Sequence, residues 1–136
     1  MYGLDQKTGK ILTTLQRMNK KEVEILDKLF SNCIKKKFNG IDIYTKRPKK
    51  IEGHVTHHPI HKNRSLGVRW DLRNGIWLSI FGHSHIHENV NENNNFIEWW
   101  KRYIGEKEYN EIIIMSHSAS KIDFEQKYEE LNEYLL

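Results

Sequence analysis

The sequence predicts an α+β protein in which a short ββα unit is embedded in a mostly helical small domain. Three observations lead there. Seven of the eight histidines fall between positions 54 and 87, in a stretch that reads as strand, long loop, strand and helix. On both sides of it, apolar residues recur at helical spacing. The chain has 136 residues, 38% hydrophobic and 11% aromatic, which suits one compact domain with one modest core. The expected organisation is a single domain, 1–136: an arm at 1–18, a helix at 19–38, the ββα core at 41–90 and closing helices at 92–136.

Residues 1–18 lack a clear period and read as an arm or a weak hairpin around Lys7-Thr8-Gly9, with no assigned role. Asn19 and Glu22 then form a capping-box pattern, and Val23, Leu26, Leu29, Phe30, Cys33 and Ile34 make one helical stripe that ends before Asn39-Gly40. Ile41 to Thr45 alternates like a short strand, which Arg47-Pro48 breaks. The next extended stretch, Ile51 to His58, stops before Pro59 because a residue preceding proline disfavours helix. A loop of about fifteen residues follows, and Gly75 to Ile80 has the apolar density of a buried returning strand. His83 to Asn89 reads as the start of a helix. Downstream, Asn94 to Ile104 carries Phe96, Ile97, Trp100 and Ile104 at helical spacing, and two further helices cover Glu106 to about Met115 and Phe124 to Leu136. Adjacent helical residues point to different sides, so one of Trp99 and Trp100 belongs in the core and the other at a surface or interface.

Charge and cysteine usage narrow the chemistry. Lys plus Arg outnumber Asp plus Glu by 22 to 18, a net +4, and much of the excess sits in Lys35-Lys36-Lys37, Lys46-Arg47, Lys49-Lys50, Lys62 and Arg64. A polyanion is a plausible partner. Cys33 is the sole cysteine, which excludes an internal disulfide or a thiolate zinc knuckle, so any metal must be held by His, Asn or carboxylate. No apolar run approaches a membrane span, and the start MYGLDQKTGK lacks a signal-peptide core. A cytoplasmic protein with no membrane partner is expected.

Five polar residues in the histidine-rich stretch read as one constellation: His57-His58, Asn74, His83 and His87. A doublet closing a strand supplies a metal ligand beside a general base, because strand neighbours point to opposite faces. Two histidines at i, i+4 turn two imidazoles to one helical face and one ion. His57, His83 and His87 are therefore the candidate ligands of one divalent metal ion (Mg, Mn, Zn or Ni), and His58 is the candidate base. Asn74 either ties the loop that fixes the base or reaches the metal itself. Lys62, Arg64, Arg69 and Arg73 are candidates for clamping phosphate oxygens, although Arg69-Trp70-Asp71 could equally brace the loop.

This spacing is that of the HNH endonucleases, whose finger is a ββα-metal unit, and within them the chain resembles the NinG (Rap) family of phage recombination endonucleases. Leu29-Phe30-Ser31 with Ile34-Lys35 looks like the family's opening helix. His58 falls at the His of its Gly-His-aromatic motif, Arg69-Trp70-Asp71 with Arg73-Asn74 is similar to its Arg-aromatic-Asp-x-x-Asn segment, and His87-x-Asn89 lies at its His-Gly-Asn. Trp100 to Tyr109, with Gly105-Glu106, resembles its closing helices, so the likeness spans about residues 29–135. Such proteins commonly carry two cysteine pairs on a structural zinc. Here Ser79 and Gly82 stand where one pair would lie, and Ile41 to Tyr44 holds none, so apolar packing by Ile43, Ile76, Trp77 and Ile80 is expected to replace the knuckle. The loop from His58 to Asn74 is one residue longer, and His57 and His83 make the site more like the His-rich colicin nucleases.

The resemblance implies hydrolysis of DNA phosphodiester bonds, with branched recombination intermediates of a phage as substrate. Junction resolution would further imply a two-fold homodimer, with Trp99, Tyr103 and Leu135 as candidate interface residues. The alternatives are a non-specific nickase and a catalytically idle DNA-binding or assembly module with a structural metal. An open metal position beside an independent base marks the enzyme; four protein ligands mark the module.

Overall fold

A computed structural model describes residues 18–47, 53–60, 66–117 and 122–136. Its elements are α1 (Lys20–Lys37), β1 (His54–His57), the one-turn helix α2 (Leu66–Arg69), a 3-10 turn (Leu72–Asn74), β2 (Ile76–Ser79), α3 (Ile80–Ile86), α4 (Val90–Ile104), α5 (Glu106–Ser116) and α6 (Phe124–Leu135). The protein is of the α+β class: mostly helical, with a two-stranded antiparallel sheet. Among the described residues no helix is long and apolar enough to cross a membrane.

The capping box predicted at Asn19 forms, with the Asn19 side chain accepting from Glu22 N at 2.8 Å and Asn19 N donating to Glu22 Oε1 at 3.1 Å. The apolar stripe then buries Leu26, Phe30, Cys33 and Ile34. Cys33 is a core residue whose thiol donates to Leu131 O at 3.3 Å, which joins α1 to α6. Lys36 Nζ makes a second link, to Tyr134 O at 2.7 Å. Trp100 is buried and Trp99 half-buried against Tyr103, the division that adjacent helical positions require. Helices α4 and α5 meet at Gly105, whose φ of 95° suits glycine.

β1 and β2 pair His54 with Ser79, Val55 with Leu78, Thr56 with Trp77 and His57 with Ile76. Strand alternation sends neighbours to opposite faces. Thr56 meets Ser31 of α1, hydroxyl to hydroxyl at 2.8 Å, and His58, in step with it, stacks on Phe30 of α1. His57 faces the other way, onto Phe96 of α4 and His83 and His87 of the α3 end. The hairpin is thus the partition between α1 and the α3–α4 pair. Gly75 makes the close approach to α1 possible, since a Cβ there would lie 2.5 Å from Ile34 Cδ1 and 2.9 Å from Phe30 Cζ.

Three expectations need correction. Residues 41–45 are not a strand, because Asp42 Oδ1 accepts from both Tyr44 N (2.9 Å) and Thr45 N (2.8 Å) and curls the backbone into a turn. The helix expected from His83 starts three residues earlier, at Ile80, because Ser79 caps it by accepting from Gly82 N. His87 is then its C-cap and still lies on the His83 side. The third concerns what replaces a knuckle. Ile76 is buried and Ile43 and Trp77 pack against the core as expected, but Ile80 is 52% exposed. The buried Asp42 carboxylate is the junction: its Oδ2 accepts from Ser79 N at 2.8 Å, Ser79 Oγ at 2.9 Å and Thr45 Oγ1 at 2.7 Å. Asp42-x-x-Thr45 and Ser79-x-x-Gly82 are clasped by hydrogen bonds, and a Cβ on Gly82 would come within 2.6 Å of Asp42 Oδ2.

Candidate metal centre

Three imidazoles converge where the hairpin meets the end of α3. One ligand atom from each of His57, His83 and His87 lies within 4.8 Å of the others, close enough to hold a metal ion. Their ring centroids are 4.6 Å apart for His83–His87, 5.3 Å for His57–His83 and 5.5 Å for His57–His87. Among the described residues this cluster has three members. His57 is buried, His83 half-buried and His87 exposed, so the trio has an inner floor and an outer rim. Burial pushes the His83 pKa below the ordinary histidine value and the adjacent His87 pushes it further down, which keeps the ring in the neutral form that ligates.

His58 stands apart from the trio on the α1 side. Its ring stacks on Phe30 with centroids 5.1 Å apart and planes 19° from parallel. Nε2 lies 2.9 Å from Arg69 O. A carbonyl only accepts, so Nε2 carries the proton and, in the neutral ring, Nδ1 carries the basic lone pair.

Asn74 ties the loop rather than approaching the trio. Fully buried, it accepts from Ile60 N through Oδ1 and donates Nδ2 to Ile60 O and Val68 O, each at 2.9 Å. One amide therefore joins the two arms of the loop, two residues past His58 and one before Arg69.

Of the four cations expected on phosphate, Lys62 and Arg64 lie outside the described residues. Arg69 forks onto Asp27 of α1, with Nε at 3.0 Å and Nη2 at 2.7 Å from its two oxygens. Arg73 is held by Asp71, Glu108 and Glu111, and these carboxylates raise its already high pKa. Both guanidiniums brace the loop against α1 and α5. Trp70 joins them through Nε1 to Asp27 Oδ1 at 2.9 Å.

The other described histidines sit elsewhere. His54 stacks on Trp77, His85 pairs with Glu88 and Glu92 on the far side of α3, and His117 caps α5. The sequence reading missed Asp27 and Asp42 as organising carboxylates. Asp27 meets partners 42 and 43 positions away, a pairing no local pattern marks. For Asp42, the residue type is the one available signal, since Asp commonly folds the backbone two residues on into a turn.

No family model, curated protein or solved structure matches the chain.

Proposed function

We propose that this protein is a metal-dependent DNA endonuclease built on an HNH-type ββα-metal finger, formed by β1, the loop, β2 and α3. One observation carries the reading: adjacent residues of a single strand end are divided between two tasks, His57 in a three-imidazole cluster and His58 outside it with a defined tautomer. Among the described residues the ligands number three, with an exposed rim, which fits a catalytic site that keeps a position open, whereas a structural ion is closed by four. The nitrogen donor set favours Zn or Ni over Mg, which prefers oxygen.

The residues His57, His83 and His87 would hold the ion, which when bound supplies Lewis-acid neutralisation of charge on the scissile phosphate and the departing 3′-oxygen. His58 Nδ1 takes the proton from the attacking water while Nε2–H stays on Arg69 O. Water oxygen bonds to phosphorus, the P–O3′ bond breaks, the departing 3′-oxygen takes a proton from solvent water while His58 returns its own to solvent, and the products are a 5′-phosphate and a 3′-hydroxyl. Asn74 keeps the two loop arms in register so that His58 and the Arg69 carbonyl meet. Net positive charge supports a nucleic-acid substrate. Branched DNA of phage recombination is the substrate class that the resemblance supports, with a two-fold dimer as its requirement.

The test is cleavage of labelled linear duplex and four-way junction, with Mg, Mn, Zn, Ni or no metal added after chelation, alongside light scattering. Metal-dependent scission by the wild type, and a loss of about 10²-fold or more in His58→Ala with metal binding retained, are expected. Metal binding without scission of either DNA would leave the structural-metal module. Scission of linear duplex and junction alike by a strict monomer would leave a non-specific nickase.

A further inference from the structure

His58 takes its orientation from a carbonyl in a segment with little intrinsic stability. Arg69 ends α2, a helix of four residues, far too short to persist by itself. What holds that carbonyl in place is α1. Asp27 Oδ1 accepts from Arg69 Nε at 3.0 Å and Trp70 Nε1 at 2.9 Å, and Oδ2 accepts from Arg69 Nη2 at 2.7 Å. One carboxylate thus grips two successive residues, while Asn74 grips Val68 O just before them. Trp70 is buried, and the Arg69 guanidinium lies over its ring at 5.6 Å.

Asp27 and Phe30 are separated by one helical turn and share a face of α1. That face provides His58 with both restraints: Phe30 sets the plane of the ring by stacking, and Asp27 sets the acceptor that selects its protonated nitrogen. The Arg69 and Asp27 side chains are 37% and 39% exposed, and an ion pair so open to water adds little to stability. A bidentate fork is nevertheless well suited to fixing geometry.

We propose that Asp27 is a positioning residue for His58, holding the Arg69 carbonyl so that the imidazole keeps its proton on Nε2 and offers Nδ1 as the base. This rests on the general-base reading of His58 given above.

The experiment is long-range ¹H–¹⁵N NMR of the imidazole nitrogens in the full chain, for wild type, Asp27→Asn and Asp27→Ala, at a pH where His58 is neutral. In the wild type, His58 is expected to show a single tautomer with Nδ1 unprotonated. Asp27→Ala should give averaged tautomer shifts. Asp27→Asn keeps one acceptor oxygen but sets an amide NH2 against a guanidinium N–H, so it should fall between the two. It also preserves the shape of Asp27, which maintains the test if Asp27→Ala does not fold. Metal affinity should be unchanged, and cleavage by Asp27→Ala should drop on the order of 10- to 100-fold, the usual cost of a small misplacement. A His58 tautomer unchanged in every folded variant overturns the proposal whatever happens to cleavage. A tautomer that shifts, in a protein whose wild type cuts no DNA, upholds the positioning and removes the nuclease reading instead.

Discussion

Replacing Asn74 by alanine isolates the loop tie from the metal trio. The side chain is fully buried and makes three hydrogen bonds to backbone, one to Ile60 N and one each to Ile60 O and Val68 O. Its removal deletes them together and leaves both Ile60 groups to find new partners, while Val68 O keeps its bond from Asp71 N at 3.3 Å. A buried polar group so orphaned costs about 1–3 kcal/mol. The Ile60 groups are at a half-buried residue and regain water in part, and the buried Val68 carbonyl keeps Asp71 N, so the sum should be about 1–3 kcal/mol rather than three full penalties. That is a large share of the stability of about 5–15 kcal/mol usual for a folded domain. Asn74→Asp retains the acceptor for Ile60 N but turns a carboxylate oxygen on two carbonyls, so at neutral pH it should cost at least as much. Urea unfolding followed by circular dichroism gives both values, and zinc titration of the folded fraction reports the trio. Metal affinity should stay near wild type, because the side-chain hydrogen bonds of Asn74 go to Ile60 and Val68 rather than to the trio. A cost below about 1 kcal/mol for Asn74→Ala would show that the amide does not tie the loop, and zinc binding that falls in parallel would show that it is not separate from the trio.

His83→Ala and His87→Ala should each weaken zinc or nickel binding by an order of magnitude or more, on the view that each removes one of three ligands; calorimetry finding both at wild-type affinity would dissolve the cluster as a metal site. Burial opposes charge on Asp42, but hydrogen bonds from the backbones and hydroxyls of Thr45 and Ser79 more than offset it and hold its pKa below the ordinary value. The stabilisation is therefore complete above the unfolded-state pKa of about 3.9 and is lost as pH falls through the lower folded value. Asp42→Asn, which turns an amide donor on Ser79 N–H, should cost roughly 1–3 kcal/mol at pH 7, and thermal melts should show the gap from wild type narrowing in strong acid. Gly75→Ala should destabilise by about 1–3 kcal/mol through overpacking, and Ile34→Val, which removes the nearest atom, should cost less in that background than alone.

The features legible along the chain are those that repeat locally. The capping box at Asn19, the helical stripes that bury Phe30 and Trp100, and the strand, loop, strand and helix order all follow from spacing along the chain. So does the division of His57 from His58, since neighbours in a strand cannot face the same way. The i, i+4 relation between His83 and His87 survives a helix that starts at Ile80 and caps at His87, because periodicity is preserved through the last turn. The roles of the carboxylates arise from contacts between distant segments. Asp42 reads as one member of an alternating strand until Ser79 and Thr45 are brought to it, and a buried charge then outweighs the β preference of its neighbours by satisfying five donors at once. Asp27 reads as a solvated position on α1 until the loop places Arg69 and Trp70 over it. Arg69 and Arg73 likewise look available to phosphate in sequence and meet carboxylates in the fold. Periodicity reports which side of an element is apolar; it carries no information about which polar group a distant segment will present to the other side, and that pairing is what orients His58.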